Sequence, residues 1–182
     1  MPLRFREDRA AQAAASLLKL RGGTMSYLKL IKLLYLADRQ ALTELGRPIT
    51  YDRFVSMQYG PVLSNTLNLI STEPDPEAWS YWHTYISAPR DWEVALLREA
   101  PVDQLSKAEE GILRKIFAQF GHMTRWDLVK YTHGLPEYED PQGSSVPISL
   151  RRMLIGTGRT EEDAAAIEQE LEAEEEMRGL LE

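Results

Sequence analysis

The run from Tyr27 to Leu45 constrains this chain more than any other part of it. Leu28, Leu30, Ile31, Leu33, Leu34, Leu36, Ala37, Ala41, Leu42 and Leu45 cover most of the circumference of a helix. A helix apolar on nearly every side has to be wrapped by other elements. It ends at Gly46, before Arg47-Pro48. The fold class that follows is mainly α: a compact helical domain around a central buried helix, with a small β-hairpin or short antiparallel strands.

The segments that must do the wrapping carry their own signals. Arg4 to Leu20, with Phe5, Ala13, Leu17 and Leu20 on a helical period, reads as a helix stopped by Gly22-Gly23. Asp52 to Tyr59 reads as a strand, and Pro61 as the first turn of a helix from Val62 to Ile70, where a missing amide costs nothing. The aromatic run Trp79, Tyr81, Trp82, Tyr85, and then Trp92 to Leu97 beyond Pro89, alternates like a hairpin. Ser106 with Glu109, and Thr124 with Asp127, have the spacing of capping boxes, in which each side chain satisfies the other's free amide. They open helices through Ile112 to Phe120 and through Trp126 to Tyr131. Gly134 to Pro147 reads as a loop, Ile148 to Ile155 as a short helix, and Thr160 as the start of an acidic one.

Charge divides the chain unevenly. The net charge is −7, yet residues 161–182 hold ten acids against the single Arg178, leaving 20 bases and 18 acids in residues 1–160. The body is nearly neutral and ends in an acidic segment, expected as a solvated helix or a disordered end. The chain has no cysteine, which excludes disulfide scaffolds, thiolate metal sites and cysteine nucleophiles. No stretch approaches the roughly 20 apolar residues of a membrane span, and the first residues lack the pattern of a signal peptide. A cytoplasmic location and no membrane partner are the expectations.

No pattern of catalytic chemistry stands out. His133 lies near Glu137, Glu139 and Asp140, but Pro136 interrupts helical spacing and no second histidine is close. The glycine pairs lack the spacing of a phosphate loop, and there is no Gly-x-Ser-x-Gly elbow. The expectation is a protein that is not an enzyme and takes no cofactor. The pair Ile112 to Phe120 and Arg125 to Thr132 has helix-turn-helix dimensions. Its second helix offers only Arg125 and Lys130 around Asp127, too few contacts for ordinary DNA recognition. For a partner protein the candidate contacts are Lys29, Lys32 and Tyr35, reaching out from the apolar helix, and the aromatics Tyr59, Trp82, Trp92 and Trp126 around it.

The segment LKLIKLLYLADRQALTELGRPI, followed by Tyr59-Gly60-Pro61-Val62, and then THGLPEYEDP at Thr132 to Pro141 and Pro147 to Ser149, resembles the Panacea, or SocA-like, antitoxin domain, often found in phage-associated proteins. The resemblance implies a Panacea-like domain over residues 1–158 and a separate acidic helix or tail over 159–182. It implies an antitoxin that neutralises a co-encoded toxin, often a translation inhibitor, by direct protein–protein binding. The alternatives are an adaptor that delivers the toxin to a protease, or a helix-turn-helix-like DNA-binding regulator. The chain departs from the commoner family pattern at Ala37-Asp38, where an aromatic residue or glutamine often stands, and it has no appended DNA-binding domain, which argues against repression of its own operon.

Overall fold

The computed structural model describes residues 3–182. Among them are eight helices and five short strands, so the chain is mainly α with two small antiparallel sheets. Helix α1 (Glu7–Arg21) buries a stripe of alanines, Ala10, Ala11, Ala13, Ala14 and Ala15, which lets its neighbours approach closely. Gly22, at φ 101°, closes it, and the amide of Gly23 returns to Leu18 O. Strand β1 (Thr24–Ser26) leads into α2 (Tyr27–Leu45), which ends at Gly46 in the left-handed conformation. Every residue of α2 from Lys29 to Asp38 is buried. The helix packs against α1, against β3 (Gly60–Leu63), and against α5 (Lys107–Phe120) and α6 (Arg125–His133).

Two expectations for the middle of the chain change. Pro61 lies in β3, and helix α3 (Ser64–Ser71) starts later than the sequence suggests. The start is set from outside the helix: the Asp52 carboxylate accepts the amides of Asn65 (2.9 Å) and Thr66 (2.8 Å) and the Thr66 hydroxyl (2.7 Å). Strand β2 (Phe54–Met57) runs between β3 and β5 (Val146–Ile148) in register Val55↔Val62 and Val55↔Pro147. Pro61 and Pro147 thus both lie in edge strands, where a missing donor is tolerated.

The aromatic hairpin is half present. Residues Tyr81–Tyr85 form a one-turn helix, α4, because Glu7 Oε1 accepts the Ser80 hydroxyl (2.7 Å) and the Trp82 amide (3.0 Å), and Ser80 Oγ accepts the His83 amide. Tertiary contacts override the alternation here. Beyond it Ile86 bridges Leu96, the chain reverses at Arg90–Glu93, and β4 (Glu93–Ala95) pairs with β1 through Met25↔Val94.

Both capping boxes close as the spacing predicts: Ser106 with Glu109 opens α5, and Thr124 with Asp127 opens α6. Helix α7 (Leu150–Gly156) precedes α8 (Glu161–Leu181). The acidic segment is neither disordered nor freely solvated. Ala164 and Leu171 are buried, Arg151 pairs with Glu168 (2.5 Å), and Arg178 lies over the Tyr51 ring at 5.2 Å. Arg159, just before α8, donates to Leu42 O and Thr43 O at the end of α2, where a cation favours the helix dipole. Among the described residues no helix is long and apolar enough to cross a membrane.

Candidate functional site

The buried charges around α2 come in two kinds. Those toward its C-terminal half are fully paired. Asp38 accepts the amides of Ile49 (2.8 Å) and Thr50 (3.1 Å) and the Thr50 hydroxyl (2.5 Å). Complete burial pushes its carboxyl up to about 7, against the pull of those hydrogen bonds. Glu137 accepts the Tyr35 hydroxyl (2.9 Å) and Arg39 Nε (2.7 Å) and Nη2 (3.3 Å). Arg39 reaches on to Gly156 O (2.7 Å). Glu109 takes Arg9 (2.5 Å) and Arg47 (2.9 Å) while also completing its capping box. These pins join α2 to Ile49–Thr50, to the Thr132–Pro141 loop and to α7, and join α5 to α1 and to Arg47 of the turn after α2.

The N-terminal half of α2 faces a cavity of about 520 Å³, largely apolar, walled by Tyr27, Leu28 and Ile31, by Met57 to Gly60 of the β2–β3 turn, by Val62 and Leu67, and by Trp92, Arg125 and Trp126. Its rim is aromatic. Tyr59 is 52% exposed, Trp92 68% and Trp126 53%. Tyr59 meets Trp126 edge-on at 5.8 Å, Arg125 lies over Trp126 at 5.5 Å, and Trp92 packs near Tyr27 at 6.1 Å.

Each rim residue is held by its backbone. Asp91 (φ 52°) and Trp92 (φ 67°) are the two central residues of the Arg90–Glu93 turn, whose ends exchange both amide hydrogen bonds, at 2.8 and 3.0 Å. Positive φ at both centres is the habit of a type I′ turn, where glycine or asparagine is usual. A tryptophan there is strained. Its carbonyl is fixed by the Tyr27 amide (3.0 Å), so the indole is presented at the cavity mouth. The Tyr59 turn is clamped from the Thr132–Pro141 loop: Tyr138 donates its hydroxyl to Met57 O (3.0 Å), the Glu139 amide bonds Ser56 Oγ (3.2 Å), and His133 Nε2 lies 3.1 Å from Gln58 O. Trp126 sits one residue into capped α6.

Lys32 forms part of the cavity wall and is fully buried. Its Nζ donates to Pro61 O at 2.9 Å. No carboxylate of the described residues pairs with it, and burial pulls its pKa down to about 7. Gly60 (φ 100°) makes room, since a Cβ there would lie 2.9 Å from both Lys32 Nζ and Thr132 Oγ1. Beside the cavity, and sharing Ser26, Arg125 and Trp126 with it, runs a shallow polar groove that adds Arg21, Lys29 and His122, with Glu93 as its acid. Lys29 Nζ donates to Gly121 O (2.6 Å), and burial, then the nearby Arg21 charge, lowers its pKa.

The seven sequence candidates therefore separate. Tyr59, Trp92, Trp126 and Lys32 come together at one cavity, and Lys29 lies in the adjoining groove. Tyr35 is buried, bound to Glu137, and Trp82 is buried in α4. The expectation that Lys29, Lys32 and Tyr35 reach outward is overturned: each folds back to a backbone carbonyl or a buried carboxylate. Arg125 and Tyr27, which belong to the site, were not singled out for a partner protein. Their position depends on packing between α2, α6 and the Trp92 turn. Among the described residues no group of three or more His, Asp or Glu side chains could hold a metal ion. His133 serves the β2–β3 turn instead.

Comparison with known proteins gives one match. No curated protein and no solved structure matches the chain. The family model described as antitoxin SocA-like, Panacea domain, matches residues 30–138. That span contains most of α2, the Tyr59 turn, Trp92, Trp126 and the Glu137 pin, and it covers more than half of the sequence. The chain belongs to the SocA-like antitoxin family and carries its Panacea domain.

Proposed function

We propose that this protein neutralises a toxin by binding it directly, with the aromatic-rimmed cavity at the N-terminal half of α2 as the contact surface. The observation that carries this reading is the convergence of Tyr59, Trp92 and Trp126, all more than half exposed, around one largely apolar cavity. Tryptophan, tyrosine and arginine are the residues that most often dominate binding energy at protein interfaces. A strained backbone at Trp92 supports it further, because such strain persists where the surrounding structure and function require the side chain's position.

The partner expected is the protein encoded beside this one. Expressed alone it should arrest growth. Co-expression with this chain should restore growth, and the two should co-purify. Trp92→Ala and Trp126→Ala should each weaken the complex at least about 10-fold, the loss of a single interface anchor, while circular dichroism and melting stay near wild type. A harmless neighbour, or a complex indifferent to both variants, refutes the reading. Rescue accompanied by a shortened toxin half-life and no stable complex would favour the protease adaptor instead.

A further inference from the structure

Lys29 and Lys32 are the exceptions among the buried charges, and of the two Lys32 is the one with no exposed surface. Arg9 and Arg39 each meet a carboxylate, and Asp38 meets three donors. Lys32 has one backbone carbonyl, which leaves two of its three N–H groups without a partner among the described residues. An ammonium placed in apolar surroundings with a single acceptor is costly, and pairing with an anion removes most of that cost. The position is also shaped for the group: Gly60 leaves the space that any other residue's Cβ would take from Lys32 Nζ. Nearby charges are mostly of the same sign, with Arg125 on the cavity and Arg21 and Lys29 in the adjoining groove against the single acid Glu93. The acids of the chain are concentrated in α8 instead.

We propose that the cavity receives an apolar side chain of the bound partner together with a carboxylate that pairs with Lys32, while Arg125 and the groove residues steer the acidic segment in. The proposal rests on the direct-binding reading and specifies the chemistry of what is bound. The apolar walls, Leu28, Ile31, Val62 and Leu67, take the side chain. The ammonium takes the anion in a site largely shielded from water, where such a charge-assisted bond is strongest. A carboxylate at a chain end and one on an Asp or Glu side chain offer the same chemistry.

The test uses the full chain and three short peptides: N-acetyl-Gly-Phe with a free C-terminal carboxylate, N-acetyl-Phe-Glu-amide and N-acetyl-Phe-Gln-amide. Binding is followed by tryptophan fluorescence and by the indole N–H resonances of Trp92 and Trp126. At least one acidic peptide should bind 10-fold or more tightly than the Gln peptide, and which one does so identifies the source of the anion. Lys32→Met, checked by its melting curve, should remove that preference, so that the acidic peptides bind no more tightly than the Gln peptide. Equal binding of all three peptides, no binding by any, or an acid preference that survives in Lys32→Met overturns the proposal. A toxin complex that forms while the acid preference is missing would defeat this inference alone. Failure of the toxin to bind at all would defeat the broader reading, which the peptides do not test.

Discussion

The two halves of α2 handle buried charge in opposite ways. Around its C-terminal half, the Asp38 and Glu137 carboxylates are saturated with donors, and Arg39 is paired with Glu137. These bonds tie the helix to Ile49–Thr50 and to the Thr132–Pro141 loop, while Glu109 of α5 takes Arg9 and Arg47 beside the end of the helix. Around its N-terminal half, Lys29 and Lys32 have only backbone carbonyls. A saturated buried network fixes one arrangement of the elements that share it. A buried ammonium lacking a counter-ion leaves binding capacity unspent. The first region is therefore scaffold, and the second is where an outside group gains most by arriving.

The contrast can be broken most severely at Glu137. Glu137→Ala strands Arg39 and the Tyr35 hydroxyl in the interior, so unfolding stability in urea should fall by about 3–5 kcal/mol, the usual cost of removing one member of a buried ion pair. The opposite sign is expected at Lys32. Lys32→Met replaces a lone buried cation by an apolar side chain of similar length, and should raise stability at pH 7 by about 1–4 kcal/mol. The pH dependence sharpens this. Because folding lowers the lysine pKa from its ordinary value to about 7, the folded state binds fewer protons than the unfolded state between those values. Wild-type stability should therefore rise with pH above about 7, until the unfolded lysine also loses its proton. The charged or titratable neighbours at this cavity and its edge are Tyr27, Tyr59, Arg125 and His133, with Lys29 in the adjoining groove. Because burial lowers the Lys29 pKa as well, Lys32→Met should flatten much of that rise and leave the Lys29 share. A variant less stable than wild type, or equally pH-dependent, would show that Lys32 is satisfied as it stands.

The paired glycines give a smaller effect with the same logic. A Cβ at Gly156 would lie 2.6 Å from Glu137 Oε2, and one at Gly60 would lie 2.9 Å from Lys32 Nζ. Glu137 is held by three hydrogen bonds and cannot retreat, so Gly156→Ala should cost about 1–3 kcal/mol through overpacking. In Gly60→Ala, Lys32 can yield because its flexible end has one partner. What remains is the penalty for a Cβ at φ 100°, about 1–2 kcal/mol, together with its approach to Thr132 Oγ1, which is tied back to Leu128 O. Introducing Lys32→Met should leave the Gly60→Ala cost nearly unchanged if this division is right, a cycle that thermal melts can close.

What the sequence could and could not disclose follows the same boundary. The limits of α2 and the two capping boxes were legible because their signals are local: a glycine stop, or a hydroxyl three residues from its acid. The pins were not. Glu137 bonds Tyr35, 102 positions away, and Lys29 bonds Gly121 O, 92 positions away. Periodicity places a lysine on an angular stripe of a helix without showing whether that stripe meets solvent or a carbonyl. The motif Thr132 to Pro141 likewise suggested family membership. Its job, clamping the Tyr59 turn through Tyr138 and His133 and holding α2 through Glu137, depends on contacts between segments far apart in the chain.

The smallest expected effect on stability separates scaffold from contact surface most cleanly. Trp92 is two-thirds exposed and strained at φ 67°. Trp92→Gly relieves about 1–3 kcal/mol of strain. Against this stand the entropy of a new glycine, about 0.5–1 kcal/mol, and the lost packing with Tyr27, about 0.5–1.5 kcal/mol. The terms nearly cancel, so the melting temperature should move little in either direction. Toxin neutralisation should nonetheless be lost, because the indole at the cavity mouth is gone. A residue kept only for the fold would show the reverse, a substantial loss of stability with neutralisation retained in the molecules that still fold. Measured side by side with Glu137→Ala, whose complex should survive wherever the protein remains folded, Trp92→Gly would show that the two halves of α2 divide stability from recognition.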